Sequence, residues 1–82
     1  IIIYAENPNN TDIAASLNNI GNVFFNKGEY ENALDYFQQS YNIRLKIYEE
    51  ISNHPDLAAS LSNLANVYLK KGEYDKALDY FK

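Results

Sequence analysis

The chain has 82 residues, 46% of them hydrophobic and 22% charged, which suits one small folded core and argues against a disordered segment. Its net charge is −4 and no basic run exceeds Lys70-Lys71, so a nucleic-acid partner is not expected. With no cysteine and a single histidine, it lacks a disulfide framework, a thiol nucleophile and any cysteine- or histidine-rich metal set.

The longest apolar run covers residues 1–5, far below the ~20 residues a membrane-spanning helix needs, and no charged leader precedes it. No membrane association is expected. A cytoplasmic setting is the expectation, since the absence of cysteine permits a reducing compartment. Ile3-Tyr4-Ala5-Glu6 aligns with Ile47-Tyr48-Glu49-Glu50, 44 residues later. Residues 1–7 therefore read as the tail of a helix that precedes the first full repeat.

A first helix is predicted over about residues 11–27. Asn10-Thr11-Asp12 marks its start with polar capping residues and an acid at the positive end of the helix dipole. Leu17, Ile20, Gly21 and Phe24 recur at three- and four-residue spacing and form one stripe. Lys27-Gly28 ends it, with glycine where a left-handed residue is wanted. A second helix is predicted from Tyr30 to about residue 51. Ala33, Leu34, Phe37, Ser40, Tyr41, Ile47 and Ile51 keep helical spacing, and neither Gly nor Pro intervenes before Pro55.

The pattern then starts again. Asn53-His54-Pro55-Asp56 opens a helix predicted over 55–71, with Pro suited to the first helical position. Leu61, Leu64, Ala65 and Tyr68 repeat the stripe, Lys71-Gly72 repeats the stop, and a fourth helix runs over about 74–82. The chain thus divides into residues 1–7, a repeat over 8–51 and a second over 52–82. A fixed period that keeps its apolar positions is the mark of a repeat array. Both ends fall inside repeats, as expected of a window on a longer array. The chain is six residues short of two periods, a length that would suit copies stacking head to tail.

Two segments carry a resemblance. One reads Leu17-x-x-Ile20-Gly21-x-x-Phe24 and Gly28-x-Tyr30-x-x-Ala33-x-x-x-Phe37. The other reads Leu61-x-x-Leu64-Ala65-x-x-Tyr68 and Gly72-x-Tyr74-x-x-Ala77-x-x-x-Phe81. In these residues the chain resembles tetratricopeptide repeats. It departs in placing Leu17 and Leu61 where the family has Trp, and in lacking the usual proline after the second helix. Its 44-residue period is similar to the extended repeats of the kinesin light chain type. The resemblance implies an all-α fold of antiparallel helix-turn-helix repeats, stacked as a right-handed α-solenoid.

It also implies that the first helix of each repeat lines a concave face where peptides bind. Asn18, Asn22 and Phe25 lie a quarter turn or more from the apolar stripe, and Ser62, Asn66 and Leu69 repeat that placement. Asparagine amides both donate and accept, so a row of them suits an extended peptide backbone, with Phe25 and Leu69 adding apolar contact. Asparagine is abundant throughout the chain, so composition alone also accounts for these positions. A carboxylate clamp of the family type would use Asn22 and Asn63, but Asn18 stands where its lysine is expected.

The acids Glu29, Glu31, Asp35, Glu73, Asp75 and Asp79 gather at helix starts, where they favour the dipole rather than catalysis. Without a nucleophile–base pair, phosphate loop or metal set, no enzyme, catalytic residue or cofactor is expected. The reading is a protein–protein interaction module for an unidentified protein or peptide. The alternative is a structural repeat that associates with copies of itself through exposed apolar ends.

Overall fold

The computed structural model describes residues 9–48 and 54–81, and all its regular elements are helices. They are α1 (Asn9–Asn26), α2 (Tyr30–Ile47), α3 (Pro55–Lys71) and α4 (Tyr74–Phe81), each packing on the next in chain order. The expected preceding helix tail at residues 1–7, and the stretch of the second helix over 49–51, lie outside the described residues.

The turns are the most literal product of the sequence. Gly28 and Gly72 take φ of 81° and 82°, the left-handed region that side chains disfavour. At the first turn Gly28 N–H donates to the Phe25 carbonyl (3.0 Å) and Glu29 N–H to that of Phe24 (2.9 Å). At the second, Gly72 donates to Leu69 (3.0 Å) and Glu73 to Tyr68 (2.8 Å). Both are Schellman closures, which satisfy the last free carbonyls of a helix. Lys27 and Lys71 then pair with Glu29 (3.1 Å) and Glu73 (3.0 Å) in the same way.

Contacts between helices fix their directions. Near the first turn Phe24 stacks on Tyr36 at 5.5 Å, and further along Ser40 Oγ donates to the Ala14 carbonyl at 2.7 Å. Residues late in α1 thus meet residues early in α2, so the two run antiparallel. The second pair repeats the stack with Tyr68 on Tyr80 at 5.6 Å. Between repeats, Arg44 Nη1 donates to Ser60 Oγ (2.8 Å), and the Tyr48 hydroxyl donates to the Asp56 carboxylate (3.0 Å). Burial and that bond together raise the Tyr48 pKa, keeping the phenol a donor.

The core sits where three helices meet. Ala33 and Phe37 from α2 share a buried cluster with Leu64 and Val67 from α3, flanked by Phe24, Phe25, Tyr30, Leu34, Tyr41 and Tyr80. Ile20 departs from the expected stripe: it is exposed, although its counterpart Leu64 is buried. The difference is one of coverage, because α2 lies over α3 and no described helix lies over that side of α1.

Lys71 also reaches back to Glu31 of α2, clasping the two repeats. Bonds to Glu31 and then Glu73 raise the Lys71 pKa, and bonds from Lys71 and then Lys76 lower that of Glu73. A lowered carboxyl stabilises above its unfolded pKa and stops doing so as pH falls through the folded value. A raised ammonium stabilises below its unfolded pKa and stops doing so as pH rises through the folded value. The Lys71–Glu73 pair is therefore intact at pH values between the ordinary Glu and Lys ranges. Melting curves of the chain and of Lys71→Met should differ slightly inside that window, converge outside it, and converge in high salt. A difference that persists at acid pH would mean that the lysine stem, not its charge, holds the repeats together.

Candidate functional site

The face formed by α1 and α3 gathers amides. Asn18, Asn22 and Asn26 follow one another at four-residue spacing along α1, and Asn63 and Asn66 stand one turn apart on α3. Side by side, the two helices enclose a cavity of about 210 Å³ lined by Asn22, Phe25, Asn26, Phe37, Asn63 and Asn66. Phe37 reaches it from behind because Gly21 lets its ring approach the α1 backbone: a Cβ there would come 2.6 Å from the ring. Phe25 is half-buried and leans on Tyr30, with ring centres 5.7 Å apart at 58°.

Three of the six predicted residues, Asn22, Phe25 and Asn66, line this cavity. Asn18 is half-buried and engaged, its Oδ1 accepting from Asn63 Nδ2 at 2.8 Å. That bond ties α1 to α3 across the repeat boundary. Ser62 and Leu69 are exposed on α3 but do not line the cavity. Phe37 was expected only as a filler between helices, and its place as the cavity floor was not foreseen; Asn26 and Asn63 were weighed for partner contact but were not among the six residues chosen. Asn26 continues the row begun at Asn18 and Asn22, and that spacing was the available signal.

Chemically, the cavity wall is neutral. Its four amides each present donors and an acceptor, while Phe25 and Phe37 provide apolar surface. The wall has no cation for a carboxylate or phosphate: Lys71 is held by Glu31 and Glu73, and Lys27 by Glu29. Such a wall matches groups that are polar but uncharged, as backbone amides are.

A larger cavity of about 250 Å³ is lined by Asn10, Asn42, Ile43, Lys46 and Ile47. Only Asn10 comes from α1, so this cavity lies off the amide face. Among the described residues, no three His, Cys, Asp or Glu side chains converge as a metal set. No helix there is long and apolar enough to cross a membrane.

The family model described as Tetratricopeptide repeat matches residues 12–82. No curated protein and no solved structure matches the chain.

Proposed function

The chain belongs to the tetratricopeptide repeat family, whose members mediate protein–protein interaction, and from that premise we propose that its amide-lined face binds an extended peptide segment of a partner. The carrying observation is the neutral cavity shared by Asn22, Asn26, Asn63 and Asn66, with Phe25 and Phe37 behind them. An extended backbone lying between α1 and α3 would exchange hydrogen bonds with the amides and rest one apolar side chain against Phe25. Ser62 and Leu69 extend the surface on α3, and Asn18 holds Asn63 in place. In this reading residues 8–51 and 52–82 are successive repeats, residues 1–7 are the tail of an earlier one, and the 44-residue period assigns the chain to the extended, kinesin light chain-like type.

The test is a peptide-display selection against the chain, repeated with Asn22→Ala and Asn66→Ala combined. Two amides that each contribute about 0.5–1.5 kcal/mol should together weaken selected peptides by roughly 5- to 160-fold. Both sites are exposed, so the helical signal should not change. A folded chain that enriches no peptide, or whose peptides ignore both substitutions, would overturn this reading.

A second reading, association with copies of itself, is favoured by a separate observation. Ile13, Ile20 and Val23 on α1, and Tyr74 and Leu78 on α4, are large, apolar and exposed. Self-association would leave the amide face free.

A further inference from the structure

In the 44-residue register, the rows of α1 and α3 that carry the amide face read Asn18, Asn22, Asn26 and Ser62, Asn66, Lys70. Two of the three pairs are uncharged on both helices, and the third exchanges an amide for a cation. Asn26 is exposed and lines the cavity although α3 stands beside it. This place on the first helix of a repeat therefore opens to the groove even where a neighbouring helix is present. Lys70 holds the same place on α3, one turn beyond Asn66, and is exposed.

Charge sets Lys70 apart. α1 carries one charged residue, Asp12, and α3 carries three, Asp56, Lys70 and Lys71. Both acids lie in first turns, at the far end of their helices from Asn26 and Lys70. Lys71 is held by Glu31 and Glu73. The acid nearest Lys70 in sequence, Glu73, is taken up by Lys71 (3.0 Å) and Lys76 (3.1 Å). Lys46 and Lys70 are the lysines with no ion pair among the described residues, and Lys46 lines the other cavity, off the amide face. The amide face thus ends in one uncommitted positive charge beside an otherwise neutral wall.

We propose that Lys70 sets the charge of the ligand: the peptide on the amide face carries an Asp or Glu side chain that meets the Lys70 ammonium. The inference rests on the peptide-binding reading and adds a ligand class to it. Cβ atoms one turn apart on a helix are about 5–6 Å from each other, so a backbone bonded at Asn66 passes Lys70 within side-chain reach. Lys70 is exposed at the margin of the face, beside the cavity and not at a closed end of it, so the backbone runs past and the carboxylate is a side chain's. The same charge disfavours peptides with Lys or Arg in that place. Because the contact is exposed, its effect on affinity is at most about fivefold and fades in salt.

The test is a parallel peptide-display selection on the chain and on Lys70→Glu, with Lys46→Glu as the control cation. Peptides enriched on the parent should share an Asp or Glu at one position, and those enriched on Lys70→Glu should carry Lys or Arg there. Lys46→Glu should enrich the same peptides as the parent. One parent-selected peptide, synthesised with an amidated C-terminus, should bind Lys70→Gln about two- to fivefold more weakly at low salt, with the difference gone at about 1 M salt. Replacing the peptide's acid with its amide should lose the same factor on the parent and nothing further on Lys70→Gln. Circular dichroism checks that each variant is helical; should Lys70→Glu unfold, the cycle with Lys70→Gln decides alone. Peptides that need Asn22 and Asn66 yet share no acid, or bind Lys70→Gln unchanged, leave the groove standing and overturn the role of Lys70. A preference that disappears on amidation assigns the carboxylate to the chain end and overturns the side-chain contact. A folded chain that enriches no peptide overturns the groove and this inference together.

Discussion

Replacing Phe37 with alanine is expected to cost about 3–5 kcal/mol, the range for emptying a packed aromatic site. A chain of this length has roughly 4–12 kcal/mol of stability in all, so one substitution removes a large share of it. The size of the effect follows from position. Phe37 is 2% exposed and joins α2 to both neighbours, facing the Gly21 backbone on α1 and sharing the buried cluster with Leu64 and Val67 on α3. Neither α1 nor α3 can follow the lost ring without leaving the other. Urea unfolding followed by circular dichroism should show a midpoint lowered in proportion, with no cooperative transition left if the parent lies at the low end of that range. Leu45→Ala is the control: it lies on the same helix but is exposed, and should stay within about 0.5 kcal/mol of the parent. A Phe37→Ala loss below about 1 kcal/mol would mean that the core lies elsewhere.

The parts of this fold that were legible in the sequence are those written in local chemistry. Glycine at 28 and 72 has few other uses in a helical pattern, so both turns and the helix starts at Tyr30 and Tyr74 could be placed. Three-residue and four-residue spacing gave the helices their type. What was not legible depends on contacts distant in sequence. The second helix was expected to reach residue 51, a stretch outside the described residues; at the end of the described part of α2, Tyr48 stacks on His54 at 3.7 Å and bonds Asp56. No periodicity marks such a partnership. The cap of α3 is likewise His54, whose Nδ1 accepts from the Asp56 amide at 3.1 Å, and not a short polar side chain of the usual kind.

Self-alignment also has a built-in blindness. It makes Ile20 equal to Leu64 and Val23 equal to Val67, but burial belongs to whichever helix lies above them. The site shows the same division. Helical spacing put Asn22, Phe25 and Asn66 on a common side of their helices, but the lateral offset between α1 and α3 decided that Asn63 would meet Asn18 while Ser62 and Leu69 would fall outside the cavity.

That blindness gives Gly21 its test, because the alignment treats it as interchangeable with Ala65. In an exposed helix, glycine to alanine stabilises by about 1 kcal/mol. At Gly21 the new methyl would stand 2.6 Å and 2.7 Å from Cδ1 and Cε1 of Phe37, well inside contact distance. The ring is pinned by Leu64 and Val67 and cannot swing clear. Overpacking of this kind costs about 1–3 kcal/mol, so Gly21→Ala should be destabilising by about 2 kcal/mol at the upper end of that range, even after the gain in helix propensity. For a domain of this size that loss lowers the melting temperature by about 8–16 °C. Combining Gly21→Ala with Phe37→Leu should then cost less than the two changes separately, by about 1 kcal/mol or more, because the smaller side chain makes room for the methyl. Phe37 is also the floor of the amide cavity, so any peptide selected on the parent chain should bind Gly21→Ala more weakly at temperatures where both are folded. If Gly21→Ala instead melts higher, as an ordinary helical glycine would, the ring does not press on α1, and the cavity between α1 and α3 loses its floor.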